Sequence, residues 1–166
     1  MANDIWQAGT YIDQTNQTGG YTKVSTFDLT LDTSAYADGD VLSDLYELTN
    51  AVRSSGSTGL ITDIVVIDKD KQEGAFDILL FDRSVTTGAK NSADSISDDD
   101  AEYQQGIVSV VADNYETMTN YSVAHIRNLN IGINPNTTSL FIATISRDTK
   151  TYTADGITLK VTILQD

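Results

Sequence analysis

The sequence predicts an all-β domain: a two-sheet antiparallel β-sandwich, jelly-roll-like, with about eight strands and one short helix near residues 98–104. Three observations carry that prediction. Short runs with apolar side chains at every second position recur from Tyr21 almost to the C-terminus, the spacing of half-buried strands. Clusters of Asp, Asn, Ser and Gly separate them, and helical signals are few. The links are uneven, long after the first, fourth and sixth strands, which suits crossing connections better than a simple meander. Eight antiparallel strands in two packed sheets describe a jelly roll or a related sandwich.

Taken in order, residues 1–20 are polar and end in Thr18-Gly19-Gly20, so they are read as an extended N-terminal arm. Trp6, Tyr11 and Ile12 are its apolar anchors and the candidate interface residues. The arm is expected either as a loose terminus or as a strap on a neighbouring subunit held by Trp6. Residues 21–166 form the sandwich domain. In Lys23–Asp32, Phe27, Leu29 and Leu31 alternate with Asp28 and Thr30, giving the first strand. Asp38-Gly39 marks a turn. Leu45–Val52 fits both a helical stripe and a strand; its Tyr, Thr and Val favour the strand. Ser54–Gly59 is expected to be a flexible hairpin-type loop.

Leu60–Ile67 and Ala75–Phe81 are apolar in part on both faces and predict central strands. The charged segment Asp68–Gly74 between them is expected to be a solvated hairpin tip. Within the polar stretch 82–105, Ser97 precedes Asp98, Asp99, Asp100 and Glu102, an N-cap followed by acids that suit a helix dipole. Four more strands follow at Gly106–Ala112, Tyr121–Arg127, Ser139–Arg147 and Ile157–Leu164. The last is the cleanest, with Ile157, Leu159, Val161 and Ile163 on one face and Thr158, Lys160 and Thr162 on the other.

Composition excludes several roles. The 166 residues suit one domain, large enough to bury roughly 70% of the unfolded surface. There is no cysteine, hence no disulfide framework or thiolate metal site. With 24 acidic against 10 basic residues the net charge is -14. That is the wrong sign for neutralising phosphates or for attraction to an anionic membrane surface, so neither nucleic acid nor membrane is an expected partner. The N-terminus shows no secretory signal, and no apolar run approaches the ~20 residues of a membrane span. A soluble product made in the cytoplasm is the expectation.

Chemistry is sparse. His125 is the sole histidine; it lies in an alternating run and is expected as a half-exposed sheet residue rather than a catalytic base. Asp68-x-Asp70-x-Gln72 resembles a calcium loop but has Glu73 where glycine is needed and Leu79 where the bidentate glutamate belongs. Asp94, Asp98, Asp99 and Asp100 are a better cation candidate, although helix-start electrostatics explains three of them. P-loop, dinucleotide, nucleophile-elbow and zincin motifs are absent from the sequence. No catalytic residue, cofactor or metal is expected.

The linear text itself has a relative in kind. Tyr36–Leu42 (YADGDVL), Asn50–Ile61 (NAVRSSGSTGLI), Val65–Gln72 (VVIDKDKQ), Ala75–Phe81 (AFDILLF) and Leu159–Asp166 (LKVTILQD) resemble a family of small structural proteins of tailed bacteriophages. The resemblance runs from about Tyr21 to the C-terminus and leaves the arm unmatched. It implies a non-enzymatic virion protein that decorates and cements the outer face of a capsid, with the major capsid protein and copies of itself (dimer or trimer) as partners. A place in the tail, neck or a head fibre is the alternative within that class. A carbohydrate-binding β-sandwich, suggested by eight tyrosines and polar loops, is the alternative outside it.

Overall fold

In a computed structural model, described here for residues 21–166, the chain forms ten strands and one α-helical turn. These are β1 (Tyr21–Asp28), β2 (Tyr46–Leu48), β3 (Gly59–Asp68), β4 (Phe76–Phe81), α1 (Asp98–Ala101), β5 (Gln104–Val110), β6 (Tyr115–Thr117), β7 (Ser122–Ile126), β8 (Ile131–Ile133), β9 (Leu140–Ser146) and β10 (Ile157–Gln165). Sheet 1 runs β1-β10-β3-β7-β6, with β8 also on β3; sheet 2 runs β2-β9-β4-β5. The strand pairs β1·β10, β2·β9, β3·β7 and β4·β5 are antiparallel and nested one inside the next along the chain. They alternate between the two sheets. A long hairpin rolled up in this way is a jelly roll.

The expected fold class therefore holds. The core lies between the inner faces, with Phe76, Ile78 and Leu80 of β4 meeting Leu159, Val161 and Ile163 of β10 and Ile61, Ile64 and Val66 of β3. Period-2 alternation decides which residues go inward. On β10 the odd-numbered residues are buried and Lys160, Thr162 and Leu164 are only half-buried, as the sequence predicts. On β4, by contrast, all six residues are buried. The cause is the segment 82–103, which returns across the outer face of sheet 2. There Val41, Leu79, Phe81, Val85, Ala143 and Ile145 form a second apolar cluster, with Leu45, Ile96, Tyr103 and Phe141 at its margin. Backbone hydrogen bonds from Val41 to Ser92 (2.8 Å) and from Asn91 to Val41 (2.9 Å) tie the segment down. Among the described residues, no helix is long and apolar enough to cross a membrane.

The bulge in β3 explains how one strand serves two partners. Asp63 pairs with Thr162 and Ile61 with Ile163, leaving Thr62 as the extra residue. Downstream of it β3 pairs with β7, upstream with β8.

Several local expectations are corrected. Segment 68–74 does not close a hairpin, because β3 and β4 belong to different sheets; it crosses between them. Nor is it a solvated tip, for Asp68 is completely buried. Its Oδ1 accepts the Asp70 N–H at 3.0 Å and its Oδ2 the Glu73 N–H at 2.6 Å, the work of satisfying backbone donors where no ladder reaches them. Lys71 and Glu73 adopt left-handed φ of 56° and 53°, a conformation uncommon outside glycine. Glu73 is held there by the Thr117 and Ser122 hydroxyls, at 2.5 and 2.6 Å. Asp70 accepts the Thr153 N–H at 2.6 Å. Segment 54–59 likewise links sheet 2 to sheet 1 and is no hairpin. The strand expected over 45–52 shrinks to Tyr46–Leu48, since Asn50 turns to a φ of 54°. The helix expected over 98–104 is a single turn, and β5 starts at Gln104.

Burial pushes the Asp68 carboxyl above its ordinary 3.8, against the opposing pull of the backbone N–H groups it accepts from. A carboxyl raised in the folded state binds its proton more tightly there than in the unfolded chain. Its contribution to stability is therefore most favourable at acid pH and declines as pH rises from about 3.8 through the elevated folded value. Urea unfolding of the wild type and Asp68→Asn across that range should show the wild type losing stability relative to the variant as pH rises. A constant difference would contradict the buried charge.

Candidate docking surface

The two sheets differ in what covers their outer faces. Over β4 and β9 the outer face of sheet 2 is covered by residues 82–103, as described above, and only the edge strand β5 is left open, with Ile107 half-exposed. No such segment seals sheet 1 among the described residues. Register fixes which side chains stand on its open face. Val24 of β1 pairs with Thr162 of β10, Lys160 with Val65 of β3, Val65 with His125 of β7, and Ile67 with Val123. Val24 is 58% exposed, and Val65, Ile67, Val123, Leu60 and Leu164 are half-buried. The face is thus a carpet of Val, Ile, Leu and Thr on rigid strands. The β-branched Val, Ile and Thr among them are strand formers and also lose little rotamer freedom when a partner covers them.

It carries both signs of charge. Asp28, Asp63 and Glu116 stand among Lys69, Lys160 and Arg127, with the Lys69 ammonium 2.8 Å from the Asp28 carboxylate. The Lys69 bond and the Thr158 hydroxyl draw the Asp28 carboxyl below its ordinary value. In a chain of net charge -14, this face holds three of the basic residues. A continuous exposed apolar patch rimmed by polar groups marks an interaction surface.

His125 lies on this face, as the alternating run predicts. Its Nδ1 accepts the Arg127 Nε–H at 2.8 Å and its Nε2 stands 3.5 Å from the Asp63 carboxylate. An Arg–His–Asp row of that kind orients an imidazole. Among the described residues no serine, threonine or other nucleophile hydrogen-bonds to it, so the geometry for nucleophilic catalysis is not assembled there.

At the corner of the open face lies a cleft of about 540 Å³, between the ends of β3, β8 and β10. Leu60, Ile133 and Leu164 give it apolar walls; Thr58, Gln105, Asn134, Gln165 and Asp166 supply a polar rim. Gly132 removes one side chain from the wall, and a Cβ placed there would meet no atom within 4 Å. Sequence reasoning missed the cleft because it is made by β8, a three-residue strand without a periodic signal.

The remaining sequence candidates fall elsewhere. Asp98, Asp99 and Asp100 fill the first turn of α1, where the Ser97 hydroxyl accepts the Asp100 N–H at 3.1 Å. Asp94 precedes the turn, its N–H bonded to the Gly39 carbonyl. Among the described residues no group of three or more His, Asp or Glu is arranged to hold a metal ion. Trp6, Tyr11, Ile12 and the arm boundary at residue 20 lie outside the described residues.

No protein-family model matches the chain, and no curated protein does. Among solved structures, the infectious bursal disease virus VP2 subviral particle matches with a TM-score of 0.33 at 18% identity, over 85% of this chain and 32% of that one. This chain therefore spans about a third of that protein. Tomato aspermy virus matches with a TM-score of 0.36 at 8% identity, over 95% and 92% of the two chains. The EclA C-terminal domain, a sugar-binding protein, matches with a TM-score of 0.31 at 12% identity, over 86% and 78%. Scores this low, spread over viral and sugar-binding proteins alike, decide nothing about role.

Proposed function

We propose that the protein is a non-enzymatic structural component of a virion that binds the outer surface of the capsid shell and stabilises it as a cement protein. The observation that carries this reading is the asymmetry of the sandwich: the chain's own segment 82–103 covers much of one sheet, while among the described residues the other keeps a rigid, largely apolar face open. The jelly roll serves viral shells and lectins among others, and a fold alone does not choose between them. The sequence resemblance to small tailed-phage virion proteins supports the former. The anionic remainder of the surface keeps copies soluble and apart before assembly and is repelled by packaged nucleic acid, which suits the exterior of a shell.

In this reading the open face of sheet 1 meets the major capsid protein. Contacts of roughly 800 Å² per partner suffice, because copies joined as dimers or trimers gain avidity through effective concentration. The experiment is add-back. Purified protein mixed with shells that lack it should co-sediment with them and raise their melting temperature. Failure to bind at micromolar protein, with labelled images of whole virions placing it at the tail, neck or a head fibre, would move it to another part of the particle.

A further inference from the structure

We propose that β5 is an assembly edge: it pairs antiparallel with β5 of a second copy, joining the two sheets 2 across a two-fold axis at Val108. This deepens the virion reading by naming the surface through which copies join, and rests on it only for the purpose of the dimer. The pairing is tested on isolated protein, so its failure leaves docking by sheet 1 standing.

The first support is the state of the sheet edges. An edge strand presents unpaired N–H and C=O groups, and proteins guard such edges with charge, proline or brevity. Among the described residues the edges are β1 and β6 in sheet 1, and β2 and β5 in sheet 2. β2, β6 and the side strand β8 have three residues each, and the first two carry Glu47 and Glu116. β1 carries Asp28 and Lys23, whose ammonium reaches over to the Thr49 and Asn50 carbonyls. β5 has seven residues. From Tyr103 to Ala112 the chain holds neither a charge nor a proline, although 20% of its residues are charged. This edge alone is unguarded among the described residues.

The second support is where its backbone groups point. The Arg147 N–H bonds to the Ala75 carbonyl at 2.9 Å, so Ala75 faces β9. Alternation along β4 then turns Phe76, Ile78 and Leu80 toward β5, where they pair with Val110, Val108 and Gly106. The N–H and C=O groups of Ile107 and Ser109 therefore face outward. At Val111, next on that side, the chain closes its own groups: the N–H donates to Asn114 Oδ1 and the carbonyl accepts the Asn114 N–H, both at 2.9 Å. At the other end a bulge at Gln105 interrupts the ladder. The open window is Gly106–Val110, and Val108 is its centre.

A second copy fits that window. With Val108 on the axis, Ile107 of each copy meets Ser109 of the other, and each such pair exchanges both N–H···O bonds. No like charges face each other, whereas elsewhere bodies of net charge -14 repel. Asp77, opposite Ser109 on β4, is held by the Ser109 hydroxyl at 2.6 Å and by Arg147 Nε at 2.7 Å. The contact is isologous and closes at two copies, since the outer edges of the joined sheet are the short, charged β2 strands. The two-fold axis stands perpendicular to the sheet, so both open faces of sheet 1 look the same way, as bivalent docking requires.

One short edge is a small contact, so the dimer should form at micromolar rather than nanomolar protein. Sedimentation of the wild type should show one chain when dilute and two at several hundred micromolar. Over the same range, residue-resolved amide exchange should slow at least tenfold at Ile107 and Ser109. The Gly106, Val108 and Val110 amides, bonded to β4, should be protected throughout. Ile107→Pro removes an outward N–H and spares the β4 ladder; it should stay a single chain with unchanged far-UV circular dichroism. Ile107→Glu, which faces a serine hydroxyl in the dimer, should still pair. A wild type that stays monomeric overturns the proposal, as does protection of Ile107 and Ser109 that ignores concentration and so places the partner within one chain. Dimers of folded Ile107→Pro overturn it too, and equal loss in Ile107→Glu and Ile107→Pro would assign the contact to an apolar patch instead. Should Ile107→Pro fail to fold, the wild-type amide pattern decides alone.

Discussion

Replacing Phe81 with alanine is expected to lower stability by roughly 3–5 kcal/mol, the range for emptying an aromatic site in a packed core. Phe81 is completely buried although it stands on the outer side of sheet 2. Its ring is enclosed by the segment 82–103, which cannot collapse onto a smaller side chain without breaking its backbone bonds to residues 39–41. Against a total stability of about 5–15 kcal/mol, the loss is a large share. At about 3 °C per kcal/mol for a domain this size, the melting temperature should fall by about 10–15 °C. Limited proteolysis should then cut first between residues 82 and 103, since that segment loses the most from the change. A loss below about 1 kcal/mol would mean that the second apolar cluster is not a real core.

The double variant Val24→Glu with Ile67→Glu should abolish add-back to capsid shells, weakening binding more than a hundredfold, while leaving the fold intact. The two positions lie on β1 and β3, one strand apart across the open face. Both are solvent-accessible in the free protein, so the cost to folding is small. At an interface each carboxylate would be desolvated without a partner, a penalty of several kcal/mol. Ile107→Glu is the control. Ile107 is 50% exposed on β5, in sheet 2, and this change should leave binding as it was. Equal loss in both variants would show that charge alone, not the open face of sheet 1, governs docking.

Much of the architecture was legible in the residues. Period-2 alternation, apolar runs and strand propensity together located eight strands, and Ile157–Gln165 behaves as its pattern dictates. The Ser97 cap announced α1, though the acids after it sustain one turn and no more. What escaped detection was set by tertiary context. β6 and β8 have three residues each, too few for any periodicity; they exist because β7 and β3 offer them a free edge. The doubly buried β4 was visible as an all-apolar run, but nothing linear revealed that segment 82–103 was its cover. The lysines of segment 68–74 suggested a wet tip. Burial of Asp68 arises because the crossing between sheets leaves backbone donors that only a side chain can reach. For the same reason the docking face could not be read: its Val and Thr look like any other strand residues until the sheet beneath them is seen to be uncovered among the described residues.

The nesting of β1 with β10 has a consequence for synthesis. On the ribosome, β1 emerges before the other strands and β10 after them, so the opening strand waits without its neighbour until residues 157–165 have been made. β9, which bridges β2 and β4, is similarly late. Such high contact order slows folding and leaves strand edges exposed to other chains in the meantime. A nascent polypeptide stalled before residue 157 should therefore be a substrate for chaperones and proteases, and the domain should close only once β10 has emerged.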